Sequence, residues 1–136
     1  MSTEGDKRPE VLYIEPHPIL RAILHEALPD LNIDTAESVD EGREKINRRV
    51  EEHVEMPYDL IVLETSDPNS EPGIKLVDEL KDSDATKNIP ILVHTTDDND
   101  FHREYLRKKG VKGYLVKGPD TDTLPQRIRD ITRGTE

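Results

Sequence analysis

The sequence predicts an α/β domain in which a five-stranded parallel sheet carries helices on both faces. Three observations lead there. Short apolar runs alternate strictly with segments of helical periodicity from one end of the chain to the other. The connections between them are short, and such alternation leaves a parallel sheet with right-handed crossovers as the stable arrangement. The strongest run, DLIVL at 59–63, is apolar throughout, as a strand covered on both faces requires.

Each element has its own signal. VLYI (11–14) is the first strand. ILRAILHEAL follows, with Ile19, Leu20, Ile23, Leu24, Ala27 and Leu28 on one helical face. Pro18 suits its first turn and Pro29 ends it. NIDTAE (32–37) is a weak second strand. Ser38 and Glu41 have capping-box spacing and open a charged helix running to about His53, with Val39, Ile46 and Val50 inward. After the third strand, TSDPNSEPG reads as a turn-rich loop. IKLVDELK (74–81) is a helix with Ile74, Val77 and Leu80 inward. IPILVHT (89–95) is the fourth strand. DDNDFHREYLRKKG is a helix, acidic at its start and basic at its end as the dipole favours, and stopped by Gly110. GYLVK (113–117) is the fifth strand. DTDTLPQRIRDITR is the last helix, with Leu124, Ile128 and Ile131 on one side. The expected organisation is a disordered lead-in over 1–9, one domain over 10–133 and a tail over 134–136.

Composition narrows the function. The 136 residues suffice for one domain, there is no cysteine for disulfides or thiolate metal sites, and no stretch approaches a membrane span. The polar N-terminus lacks an apolar leader, so a cytoplasmic location is the default. Net charge is −11, which argues against general nucleic-acid binding. The charge is uneven. Residues 1–100 carry 25 acids and 10 bases, whereas residues 101–136 carry 5 acids and 9 bases.

In doubly wound sheets, function gathers outside the carboxyl ends of the strands. Here the first strand ends in Glu15-Pro16, the third in Glu64, the fourth in Thr95-Thr96 and the fifth in Lys117. Two carboxylates, a hydroxyl and an ammonium group in that order resemble the receiver domain of two-component response regulators, over roughly residues 10–133. The resemblance implies a flavodoxin-like (receiver) fold with five helices and sheet order 2-1-3-4-5. It makes Glu15 and Pro16 the equivalents of the acidic pair that holds Mg²⁺, and Glu64 the equivalent of the phosphoacceptor Asp, followed by Pro68 and Gly73. It makes Thr95, Tyr114 and Lys117 the switch and phosphate-contact equivalents.

The departures carry the functional expectation. Pro16 brings no ligand atom, the acceptor is Glu rather than Asp, and Gly118 stands where the family carries Pro. Receiver phosphorylation is an in-line transfer to a closely positioned carboxylate oxygen, with Mg²⁺ neutralising the phosphoryl charge. Mg²⁺ wants near-octahedral oxygen donors, so its binding is expected to be weak or lost. The extra methylene of Glu64 displaces its oxygens by roughly the 1 Å that costs about 10²-fold in rate. The expectation is a pseudo-receiver with no cofactor, no catalytic residue and no enzymatic activity, which acts by protein–protein interaction. Glu64 then serves either as a structural ion pair with Lys117 or as a built-in imitation of the phosphorylated state. Two other readings remain: a working receiver phosphorylated at an atypical Mg²⁺-dependent site, and a small-molecule or ion sensor using the same crevice. The resemblance places partner or homodimer contacts in residues 98–133, with Arg103, Arg107, Lys108, Lys112, Arg127 and Arg129 as candidates.

The five histidines show no metal-ligand spacing, and His25-Glu26 fails as a zinc-protease motif because Pro29 occupies the second histidine position. His94 is expected to face the core or a helix, and His17 to face solvent. Asp67, Asp97 and Asp98 are expected in loops near the crevice, where a rewired cation site is conceivable. No glycine-rich nucleotide fingerprint is present.

Overall fold

The structure, a computed structural model, describes residues 8–52, 54–65 and 70–134. The element order is β1 (Glu10–Ile14), α1 (Pro18–Ala27), β2 (Asn32–Ala36), α2 (Val39–Glu51), β3 (Leu60–Leu63), α3 (Glu71–Asp82), β4 (Ile91–Thr95), α4 (Asp100–Lys108), β5 (Gly113–Val116), a 3-10 turn (Thr121–Thr123) and α5 (Leu124–Arg133). All strand pairs are parallel, in the order β2-β1-β3-β4-β5.

Strand periodicity divides the core in two. Leu12, Ile14, Ile61, Leu63, Ile91 and Val93 point to one face and pack under Val39 and Ile46 of α2, Leu76, Val77 and Leu80 of α3 and Leu106 of α4. Val11, Tyr13, Leu60, Val62, Leu92 and Leu115 point to the other, under Leu24 and Leu28 of the α1 region and Leu124, Ile128 and Ile131 of α5. Extending the alternation to the carboxyl ends puts Glu15, Glu64 and Lys117 on the α1/α5 side and Thr95 on the other.

Local chemistry explains the boundaries. Ser38 Oγ accepts from Glu41 N–H, and Glu41 Oε1 reaches back to Glu37 N–H at 2.7 Å, so the capping box forms with its return bond one residue early. Asn99 caps α4 by accepting from His102 N–H. Gly110 and Gly134 take positive φ where α4 and α5 end.

Two expectations need correction. Ile19 and Ile23 are 72% and 56% exposed. The line Leu20–Leu24–Leu28 covers the sheet side of α1, and the wider apolar stripe turns its flank to solvent. α3 begins at Glu71, inside the segment expected to be loop. Pro72 fits a first helical turn, and Gly73 lets that turn lie against the chain after β3. A Cβ on Gly73 would meet Thr65 Cα and Cγ2 at 2.9 Å. Gly73→Ala is therefore expected to lower stability by about 1–3 kcal/mol, read by urea unfolding; an unchanged midpoint would show that α3 can shift freely. At the termini, the Pro9 carbonyl accepts from Asn32 N–H, and Gly134 caps α5. Residues 1–7 of the expected lead-in, 135–136 of the tail, His53, Asp67 and Pro68 lie outside the described residues.

Candidate functional site

Glu15 and Glu64 end neighbouring strands, β1 and β3, and are 0% and 3% exposed. Lys117 follows β5, fixed by its N–H on Thr95 carbonyl at 2.7 Å. Its side chain crosses the carboxyl edge of the sheet. Nζ lies 2.9 Å from Glu15 Oε1, 3.0 Å from Glu15 Oε2 and 2.7 Å from Glu64 Oε2. Thr95 Oγ1 lies 3.4 Å from Glu64 Oε1. The crevice thus brings together the four groups expected at the strand ends.

Further donors surround Glu15. His17 N–H donates to Oε2 at 3.1 Å and Tyr13 Oη–H donates to Oε1 at 3.3 Å. Arg21, one turn into α1, donates to the Glu15 carbonyl at 2.7 Å. Burial, then the charge of Glu15, pushes the Tyr13 phenol well above the ordinary tyrosine range, so it serves as a neutral donor. Sequence reasoning missed Tyr13 and Arg21. Tyr13 had a signal: it stands two residues before Glu15 and so shares its strand face. Arg21 had none beyond lying in the first helix. The His17 side chain is exposed, as expected.

The donor set as placed does not suit a hard divalent cation. Pro16 brings no side-chain oxygen, and an ammonium group already bridges the two carboxylates. Pro16 instead helps line a cavity of about 150 Å³ with Glu37, Ser38, Asp40, Glu64 and Pro72. Among the described residues, no cluster of three His, Asp or Glu side chains is placed to hold a metal.

Asp97 does something other than coordinate a cation. Its Oδ2 accepts from Ser70 Oγ–H at 2.5 Å and stands 2.6 Å from His102 Nδ1, while Oδ1 accepts from Asn99 N–H at 3.0 Å. Its N–H donates to Thr95 Oγ1 at 3.0 Å and its carbonyl accepts from Tyr114 Oη–H at 2.6 Å. Burial opposes the charge on Asp97, yet these donors hold its carboxyl below the usual range. Ser70, buried at the start of α3, has φ 71°, and among the described residues no other non-glycine residue has positive φ. A serine in that conformation is strained, and the bond to Asp97 helps hold it there. Asp97 thus ties the start of α3, the start of α4, Thr95 and Tyr114 together. Asp98 lies on Arg103 at 2.6 Å.

His94 precedes Thr95 and points the opposite way, into a small cavity of about 50 Å³ lined also by Tyr13, Leu20, Leu24 and Leu124. Nε2 lies 3.2 Å from Thr121 Oγ1, and Nδ1 has no partner among the described residues. Burial first, and the Lys117 charge second, push the imidazole down to about 4.

The six candidate partner residues do not form one face. Arg107, Lys108 and Lys112 are exposed around the end of α4 and the start of β5. Arg103 is held by Asp98 and Asp100 and stacks over the Tyr114 ring at 5.1 Å. Arg127 donates to the Lys112 carbonyl. Arg129 turns away from β5 to pair with Asp30 at 2.9 Å and to donate to the Ala27 carbonyl, at the α1–α5 junction.

Solved structures similar to this fold include receivers. The phosphorylated cyanobacterial phytochrome response regulator RcpA superposes with TM-score 0.78 at 20% identity, covering 95% of this chain and 96% of its own. The Francisella response regulator 1452 receiver domain gives 0.76 at 21%, covering 95% and 100%. The Vibrio cholerae chemotaxis protein CheY4 gives 0.73 at 21%, covering 91% and 98%. No curated protein matches the sequence. The family model for the response regulator receiver domain matches residues 11–129, nearly the whole sheet and its helices, and the chain therefore belongs to the response regulator receiver domain family.

Proposed function

We propose that this receiver works without phosphoryl transfer, as a pseudo-receiver that signals through protein–protein contacts. One observation carries the reading: Lys117 Nζ is shared between two buried carboxylates, Glu15 and Glu64, at 2.7–3.0 Å. The ammonium group is the counter-ion that keeps both buried carboxylates paired with no metal between them. Glu64 directs Oε2 at that ammonium and Oε1 toward Thr95, so both of its oxygens already face partners within the crevice.

A second reading concerns what Glu64 does there. Thr95 Oγ1 is drawn to within 3.4 Å of Glu64 Oε1, and Tyr114 is anchored inward on the Asp97 carbonyl. Those are the two groups that receivers move together on activation. Their placement favours Glu64 as a permanent, if weaker, substitute for a phosphoryl group, which carries more charge and three acceptor oxygens.

The test is a set of amide NMR spectra of the protein alone, with Mg²⁺, and with Mg²⁺ and beryllofluoride, which imitates a phosphoryl group on a receiver. The expected result is no saturating shift at Glu15, Glu64, Thr95 or Lys117. The double variant Pro16→Asp/Glu64→Asp, which restores the family's donors, is expected to gain one. Saturating shifts in the natural sequence would overturn the proposal and restore a working phosphorylation site. Protein contact is assigned to the region of residues 98–133, where Arg107, Lys108 and Lys112 stay exposed. A homodimer through this region is one form such contact can take. Among the described residues, no helix is long and apolar enough to cross a membrane.

A further inference from the structure

His94 is buried, yet one of its two ring nitrogens is unused. Nε2 faces Thr121 Oγ1 at 3.2 Å, and Thr121 Oγ1 also accepts from Gly118 N–H at 2.9 Å. Nδ1 has no partner among the described residues. Leaving a buried polar atom unpaired is costly, and native interiors hold few of them.

The imidazole borders the cavity of about 50 Å³ that lies between α1 and α5. Leu20 and Leu24 wall it from α1, and Leu124 and Pro125 from α5. Tyr13 of β1 contributes ring carbon, because its hydroxyl is directed at Glu15. Ile23, an exposed residue, stands at the mouth, so the cavity opens to solvent between the two helices. At the end of α1, Arg129 of α5 donates to the Ala27 carbonyl and pairs with Asp30, which fixes one helix against the other. The cavity is separate from the carboxylate crevice: Glu15, Glu64, Thr95 and Lys117 take no part in its lining.

Wall chemistry narrows the occupant. A buried water makes about three hydrogen bonds. Among the described residues, this wall offers one polar atom without a partner, set among leucines. Carbon therefore fits it better than water does. An ionised ligand fits no better than water. Burial, and then the Lys117 charge, keep the imidazole neutral, and the Lys117 ammonium is already shared by Glu15 and Glu64. A carboxylate here would have no counter-ion of its own. The polar group required is one that serves Nδ1 in either tautomer. As N–H the nitrogen needs an acceptor, and bare it needs a donor; a hydroxyl is both. Volume sets the rest. An engineered apolar cavity of roughly 150 Å³ takes benzene. This smaller one takes a short alkyl group, with any remainder lying along Ile23.

We propose that the α1–α5 cavity binds a small neutral alcohol, with its hydroxyl on His94 Nδ1 and its alkyl group between Leu20, Leu24 and Leu124. The inference goes beyond the reading of Glu64 and is independent of whether phosphate is accepted there.

The experiment titrates the full chain with isobutanol and, separately, with isobutyl chloride, which keeps the carbon skeleton and lacks the hydroxyl. Amide shifts and the ring-nitrogen resonances of isotope-labelled histidine are followed. The expected result is saturable shifts at Tyr13, Leu24, His94 and Leu124 with isobutanol, with His94 Nδ1 moving most among the ring nitrogens. The chloride is expected to bind about tenfold more weakly. His94→Leu removes the polar anchor and keeps the wall apolar, so it is expected to bind the two ligands alike. The comparison of ligands on the natural chain stands whether or not the variant folds. The proposal is overturned by any of four results: no saturable shift, shifts centred elsewhere, equal binding of the chloride to the natural chain, or a preference for the alcohol that survives in His94→Leu. None of these bears on the beryllofluoride response, so failure here and failure of the phosphorylation-independent reading stay separate.

Discussion

Replacing Lys117 by methionine is expected to lower stability by about 3–5 kcal/mol. The Lys117 side chain is 10% exposed and those of Glu15 and Glu64 are 0% and 2% exposed, so solvent screens little of the interaction. Methionine fills much of the volume but leaves two carboxylates buried without their shared counter-ion. The cost is chiefly that of the uncompensated charges, more than the worth of the pair itself. Arg21 sits at the Glu15 carbonyl and reduces the loss without removing it. Urea unfolding at neutral pH measures the effect. Adding Glu15→Gln and Glu64→Gln to the same chain is expected to recover much of the stability, because neutral amides need no cation between them. A loss below about 1 kcal/mol would place the pair among screened surface bridges and remove the basis for treating Lys117 as a resident cation.

His94 gives the second large effect. The imidazole has an ordinary value of 6.5 and is pushed down to about 4 in the folded protein. Above 6.5 both folded and unfolded chains hold it neutral, and it adds no pH dependence. Below 6.5 the unfolded chain takes up a proton that the folded chain refuses, so stability falls as the pH drops toward 4. The full difference is about 3 kcal/mol, at about 1.4 kcal/mol for each pH unit between the two values. The side chain is 1% exposed, so screening does not reduce it. His94→Leu places carbon in a cavity already lined by leucines and removes the titration. Unfolding free energies measured between pH 7 and pH 4 are expected to fall less steeply for the variant, with the curves diverging below pH 6.5. Parallel curves would show that His94 accepts its proton in the folded state as readily as in the unfolded one.

The sheet was legible because its determinants are local. LIVL at β3 and ILVHT at β4 are buried along their whole length, and the burial follows from the apolar run itself. The convergence of Glu15, Glu64, Thr95 and Lys117 followed from topology, since parallel strands deliver their carboxyl ends to one edge. Local pattern failed where packing chooses between neighbours. The stripe on α1 held more apolar residues than its contact face could cover, so Ile19 and Ile23 stayed outside. The first turn of α3 was hidden in a proline- and glycine-containing stretch, because the use of Gly73 depends on its approach to Thr65. Arg129 followed a helix phase that only the docking of α5 beside α1 decides. Least legible was the role of Asp97. Its partners Ser70 and Tyr114 stand 27 and 17 positions away, and nothing in the local sequence marks them as its partners.

The reach of Lys117 has a consequence for how the domain opens. β5 is an edge strand, three places from β1 in the sheet. Edge strands ordinarily fray first, and local opening then costs far less than global unfolding. Here the residue that closes β5 is tied by charge to the ends of β3 and β1. Peeling β5 away strands two interior carboxylates, so partial opening at that end carries much of the cost of complete unfolding. The same contact that fills the crevice makes the carboxyl edge of the sheet a single cooperative unit.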